Sequence, residues 1–180
     1  VRLIEMKGGT ARNAIPREAF ATCALPVSMA SNIDEWVRHR HEAWRQRFAE
    51  ADATVSFVCK HYDTPPDRTI SRANQERLLA FLNIAVNGVS RISETFPGVT
   101  DTSSNLGVLA LEKGTFKATF KVRSLHADRA DALADKLVAH ALSYGFQASK
   151  DGAYPGWTPN PSSNLLALCQ QVYTAQFGQH

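Results

Sequence analysis

The chain has 180 residues, of which 44% are hydrophobic and 21% are charged, and its formal net charge is +3 at pH 7. This length is sufficient for one hydrophobic core or two small lobes. Because basic residues are interspersed with acidic ones, and because no apolar stretch is long enough to cross a bilayer, we expect neither a nucleic acid nor a membrane as a partner.

The cysteines indicate a reducing compartment. Cys23, Cys59 and Cys169 are odd in number, far apart and without the paired spacing of a metal-binding motif. We therefore expect reduced, mostly buried thiols in a cytoplasmic protein.

The first third of the chain predicts the order strand, strand, helix, strand. Strand-forming residues indicate strands over 1–8 and 17–26. Apolar residues at helical spacing predict an amphipathic helix over 32–50. The alternating run 54–60 predicts a third strand.

The same order of elements recurs later in the chain, after a helix predicted over 71–86. The recurring strand, strand, helix and strand are predicted over 106–111, 116–125, 127–144 and 146–150. We interpret this as an internal duplication of halves covering about 1–62 and 103–151.

Each half should form an antiparallel sheet with helices on one face. The predicted fold class is therefore α+β, a ferredoxin-like two-layer sandwich, in which the helix near 71–86 joins the two halves. After residue 151 the sequence changes character: an aromatic turn over 152–157 precedes a last helix that begins at Pro161.

The segment 8–16 (GGTARNAIP) is the most unusual of the chain. Two glycines allow a sharp turn, and Ile15-Pro16 makes the chain extended again. The segment is either a strand–turn–strand with polar tips or a turn that presents Asn13 to a ligand.

The strand 116–125 alternates apolar and basic residues, so its polar face carries Lys117, Thr119, Lys121 and Arg123. This face is either simply solvated, or Arg123 binds a ligand carboxylate with its planar guanidinium. Asn13 would then donate a hydrogen bond to a carbonyl oxygen. Neither side chain can activate water, so these residues bind a substrate without cleaving it.

Catalytic constellations are missing from the sequence. The histidines show no metal-binding pair, and no nucleophile elbow or phosphate-binding loop is present. We therefore expect no catalytic residue and no metal ligand in this chain.

Four segments in the same order resemble the aminoacyl-histidine dipeptidases, the bacterial peptidase D or carnosinase-like enzymes. They are 8–16 with its continuation, 87–89 (NGV), 104–108 (SNLGV) with Arg123 downstream, and 152–157 (GAYPGW). These enzymes resemble dinuclear zinc exopeptidases, in which an inserted lid domain closes over a catalytic domain. The resemblance covers nearly the whole chain.

The resemblance implies roles for individual residues. Asn13 matches the lid asparagine of the turn, Arg123 matches the arginine that takes the substrate's C-terminal carboxylate, and Asn87-Gly88 matches a His or Asn beside a Gly. Asn105, in the SNLGV segment, completes the expected substrate-binding set. Since position 87 is Asn here, no imidazolium is expected to assist the transition state.

The resemblance also implies that two zinc ions and the general-base Glu lie in a catalytic domain outside this chain. We expect residues 1–151 to be the lid and 152–180 to return toward that domain, in a chain that looks like a piece of a longer polypeptide. The expected partners are a dipeptide such as β-alanyl-histidine, the missing catalytic domain and, in a homodimer, a second copy of the chain. The alternative is a free-standing ferredoxin-like binding or regulatory module whose basic sheet face takes an anionic partner.

Overall fold

The computed structural model of the chain describes residues 1–62, 64, 67–154 and 159–178. It contains five strands and four α-helices within these residues. They are β1 Arg2–Gly8, β2 Ala19–Ala24, α1 Ala30–Arg47, α2 Arg72–Ile84, β3 Gly88–Ile92, β4 Thr100–Glu112, β5 Thr115–Ser124, α3 Ala127–Ser143 and α4 Asn164–Phe177.

The five strands form one antiparallel sheet built around the long strand β4. One edge of β4 pairs with β5 along nearly its whole length. The other edge is shared: β3 pairs with its first half at Thr100–Ser104, and β1 pairs with its second half at Leu109–Leu111. β2 extends the sheet beyond β1. This sharing leaves a short stretch of β4 between the two neighbours.

The core lies between one face of the sheet and the helices α2 and α3. Leu3 of β1, Leu78 of α2 and Leu111 of β4 form a buried cluster. The ring of Phe81, also on α2, lies 6.1 Å from Phe116 and 5.1 Å from the His140 imidazole of α3. The predicted α+β class, with helices packed on an antiparallel sheet, is confirmed.

The hairpin between β4 and β5 fixes which side chains face the helices. Lys113 and Gly114 both have positive φ angles, 51° and 78°, as a tight two-residue hairpin turn requires. Phe116 and Phe120 consequently face the helices, while Lys117, Lys121 and Arg123 lie on the opposite face, which we call the outer face. This alternation is as the sequence predicts.

A buried carboxylate joins β4 to α3. Asp101, 3% exposed, accepts a hydrogen bond from the Thr102 hydroxyl and forms an ion pair with Arg129. The hydroxyl hydrogen bond, assisted by the positive charge of Arg129, holds the pKa of Asp101 below its ordinary value.

The strand predicted over 54–60 is wrong, because this segment forms no regular secondary structure and pairs with no strand. Its Phe57 ring packs against α1, 5.6 Å from the Trp36 ring and 5.1 Å from the Trp44 ring. The Phe57 amide donates to His41 Nδ1 at 3.1 Å. The alternation of this segment thus reflects contact with a helix.

The strand predicted over 146–150 is also wrong. Phe146 instead packs 5.2 Å from the Phe81 ring. Without these two strands only the order strand, strand, helix recurs, in β1, β2, α1 and in β4, β5, α3, and strands from both proposed halves share one sheet. The internal duplication is therefore not supported.

Two further expectations differ from the structure. Cys23, Cys59 and Cys169 are exposed rather than mostly buried. The last helix begins at Asn164, where the Ser163 hydroxyl caps the Leu166 amide, and not at Pro161. In the described part of the chain no helix is long and apolar enough to cross a membrane.

Candidate functional site

The loop between β1 and β2 lies directly against β4. Gly9 has a φ of +67°, and a Cβ atom there would collide with the carbonyl oxygen of Gly107. A Cβ atom on Gly107 would lie 2.6 Å from both Cα and the carbonyl oxygen of Arg12. Two glycines on separate elements therefore permit the loop to approach β4 at this short range.

This contact falls in the stretch of β4 that neither β1 nor β3 covers. The backbone of β4 is irregular there, with a register shift between Leu106 and Val108. The Leu106 amide donates to Asn87 Oδ1 at 2.8 Å. The Asn87 side chain thus supplies the acceptor that a neighbouring strand would otherwise provide.

Asn105 holds the loop from the other side. Its Nδ2 donates to the carbonyl oxygen of Ala14 at 2.8 Å and lies 3.4 Å from that of Arg12. Within the loop, the Ala14 amide donates to the carbonyl oxygen of Ala11 at 3.2 Å. These hydrogen bonds fix the turn that carries Asn13, whose side chain is exposed.

Arg123 lies on the same face as Asn105. It is opposite Ser103 in the β4–β5 ladder, and Lys121 is opposite Asn105. Side chains two residues apart on a strand share a face and are separated by about 7 Å. Arg123 is exposed, and no described residue forms an ion pair or hydrogen bond with its side chain.

A third segment reaches this face from beyond α3. The Tyr154 ring lies 4.8 Å from Lys121 Nζ, in a cation–π contact. Asp151 Oδ1 lies 4.0 Å from a guanidinium nitrogen of Arg12. The described part of the predicted aromatic turn ends at Tyr154, and its residues 155–157 lie outside the described residues.

The five predicted binding residues are therefore brought to one region. Asn105 holds the loop and Asn87 binds a backbone amide of β4, whereas the Asn13 and Arg123 side chains are exposed. Gly88, which follows Asn87, has a φ of +102°, and no atom lies within 4 Å of where a Cβ would be. The backbone conformation therefore favours glycine at this position, although a side chain would have room.

The arrangement suits an anionic ligand. Arg12, Lys121 and Arg123 contribute positive charge on the outer face, with Asp151 as a counter-charge beside Arg12. An exposed guanidinium can bind a carboxylate with two hydrogen bonds. The site residues are amides, glycines and cations, which are not zinc ligands.

Sequence reasoning did not assign site roles to Gly107, Arg12 and Tyr154. Gly107 is in the SNLGV segment, and its role depends on a loop nearly 100 residues away in sequence. The contacts of Arg12 with Asp151 and of Tyr154 with Lys121 have no signature in spacing. The only sequence signal for Gly107, Arg12 and Tyr154 is that each lies in one of the four segments that resemble the dipeptidases.

The fold and the site define a class: a two-layer α+β domain whose loops converge on a cationic sheet face. No family model matches the chain. The chain is 30% identical over 179 residues to the cytosol non-specific dipeptidase of Escherichia coli (strain K12), a match covering 99% of this chain and 37% of that protein.

A solved structure gives the same result. The crystal structure of aminoacylhistidine dipeptidase from Vibrio alginolyticus superimposes with a TM-score of 0.85 and 33% identity, over 99% of this chain and 36% of that one. The chain is thus homologous to a segment of dipeptidases, and it spans little more than a third of the length of either relative.

The exposed surface is large for a chain of this size. The structure exposes 13786 Å², whereas a folded monomer of this mass exposes about 8,600 Å². Neither α1 nor α4 contains a buried residue, and every residue of β3 is exposed. An exposed area of this extent is typical of a chain whose surface is partly covered by another domain or subunit.

Proposed function

We propose that this chain is the substrate-holding lid of a zinc-dependent dipeptidase that hydrolyses Xaa-His dipeptides such as β-alanyl-histidine. Residues 1–151 form the lid in this proposal, and 152–180 lead back toward the catalytic domain. The observation that carries it is that described residues from all four resembling segments lie around one region of β4 and β5. The length of the relatives and the large exposed surface support a role as part of a longer enzyme.

Arg123 binds the C-terminal carboxylate of the dipeptide in this proposal. Its exposed guanidinium on a cationic face, to which no described residue binds, supports the assignment. Asn13 donates to the substrate carbonyl oxygen from the tip of the loop. Asn105 acts on the substrate through the loop that it holds, and Asn87 and Gly88 complete the proposed substrate-binding set beside the unpaired stretch of β4.

The two zinc ions and the base that activates water belong to the catalytic domain in this proposal. The chain by itself binds the dipeptide and does not hydrolyse it. A cytoplasmic location is proposed with it, and pairing of two copies through a free sheet edge, at β2 or β3, stays a prediction.

The decisive experiment pairs a substitution with a change in the substrate. In the full-length polypeptide, Arg123→Met should lower kcat/KM for β-alanyl-histidine by about 10- to 150-fold, the effect of losing a hydrogen bond to a charged group of about 1.5–3 kcal/mol. The C-terminal amide of the same dipeptide lacks the carboxylate. The variant should therefore hydrolyse the amide about as well as the unsubstituted enzyme does.

Lys117→Met is the matched control, since Lys117 is an exposed cation on the same strand and face. It should leave both substrates unaffected. Equal losses on acid and amide in Arg123→Met would contradict the carboxylate assignment. Turnover of β-alanyl-histidine by the 180-residue chain with added zinc would contradict the lid proposal.

A further inference from the structure

Three metal-ligating side chains meet at a surface that the proposed function does not use. They are Asp34 on α1 and Cys59 and His61 in the extended segment that follows it. One ligand atom from each lies within 4.8 Å of the other two. His61 Nε2 is 2.7 Å from Asp34 Oδ1, and all three residues are exposed.

The segment that carries Cys59 and His61 is anchored to α1 immediately before them. Phe57 packs between Trp36 and Trp44, and its amide donates to His41 Nδ1. Cys59 and His61 follow Phe57 by two and four residues, and their ligand atoms lie near Asp34 of the helix.

We propose that Asp34, Cys59 and His61 bind one zinc ion. Thiolate, imidazole and carboxylate are the three ligand types that zinc takes in proteins. In a tetrahedral site, ligand atoms at about 2.0–2.3 Å from the metal lie about 3.4–3.6 Å apart. The three ligand atoms, which lie within 4.8 Å of one another, reach this geometry if side-chain rotations move them by about 1 Å. Water would take the fourth position.

The ion would fasten a thinly packed part of the fold. α1 contains no buried residue, and the described part of the segment after it is held through Phe57 and the His61–Asp34 contact. Zinc would connect the segment to the N-terminal half of the helix. Bound zinc would thereby stabilise the folded state. The gain in the free energy of unfolding would increase with the logarithm of the free zinc concentration divided by the dissociation constant.

The test is a titration of the 180-residue chain, with its thiols kept reduced, by zinc in a calorimeter and by Co²⁺ in an absorption spectrometer. We expect one equivalent of zinc to bind and Co²⁺ to give a thiolate charge-transfer band. Cys59→Ser, His61→Asn and Asp34→Asn should each weaken zinc binding by at least about tenfold, the lower end of the loss seen even for residues that only support a ligand.

Two control variants remove the same chemical groups elsewhere. Cys169→Ser removes an exposed thiol on α4, and His39→Asn removes an exposed imidazole on α1. Both should bind zinc as the unsubstituted chain does. Loss of the cobalt thiolate band in Cys59→Ser but not in Cys169→Ser supports the site. Since all of these residues are exposed, the variants should fold, and circular dichroism verifies that each one does. The absence of saturable zinc binding, or equal binding by Cys59→Ser, would overturn the proposal.

Discussion

Replacing Gly107 with alanine tests whether the loop and β4 are as closely packed as the structure has them. Gly107 is buried, and the added Cβ would lie 2.6 Å from two backbone atoms of Arg12 and 2.8 Å from the carbonyl oxygen of Ala11. Because these are backbone atoms, a change of rotamer cannot relieve the overlap, so the loop must shift. Overpacking of this kind costs about 1–3 kcal/mol of the free energy of unfolding.

Urea unfolding measures this cost. With a slope of about 2 kcal/mol per molar urea, the midpoint of Gly107→Ala should fall by about 0.5–1.5 M. Trypsin should also cleave the displaced loop faster after Arg12 and Arg17. Gly8→Ala is the control: its Cβ would meet no atom nearer than 3.5 Å, so its stability should change by less than about 0.5 kcal/mol. A Gly107→Ala midpoint equal to that of the unsubstituted chain would refute the reasoning.

Two other substitutions probe contacts that depend on β4. Asn105→Ala removes the donor to the Ala14 carbonyl oxygen and should lower the free energy of unfolding by about 0.5–1.5 kcal/mol; Asn105→Asp should be at least as harmful in urea unfolding, since a carboxylate offers that carbonyl only acceptors. Asp101→Asn should destabilise the chain at neutral pH. The folded state lowers the pKa of Asp101, so its stabilisation is present above about pH 4 and is lost as the pH falls through the lowered value. Unfolding curves of the two proteins should therefore converge in acid, and a constant difference down to low pH would contradict this assignment.

The sequence predicted those elements whose pattern comes from packing on the sheet. Helix α3 and the hairpin of β4 and β5 follow from apolar spacing and from the Lys113-Gly114 turn. The run 54–60 alternates in the same manner, yet it has no strand partner. Alternation reports only that one side of an extended chain is buried, and here the burying surface is α1. Strand β3 was missed for the opposite reason, since all its residues are exposed and no alternation marks it.

The candidate site shows a similar division. The sequence predicted that the amides and the arginine bind a ligand, but it could not distinguish the amides that form hydrogen bonds within the chain from the side chains that are exposed. That distinction depends on the unpaired stretch of β4, which exists because β1 and β3 share one edge. No local sequence pattern indicates how β1 and β3 divide the edge of β4 between them.

The shared edge also determines how a substrate clamp could be assembled on this sheet. If one strand covered the whole edge of β4, the Leu106 amide would pair with it, and neither Asn87 nor the loop could approach Gly107. The interruption lets the loop lie on β4, while the ladder with β5 fixes Arg123 relative to Asn105. Asn105 in turn holds the turn that carries Asn13. The two exposed side chains are thus connected through one strand, so a change at Gly107 or Asn105 should shift the position of Asn13 relative to Arg123.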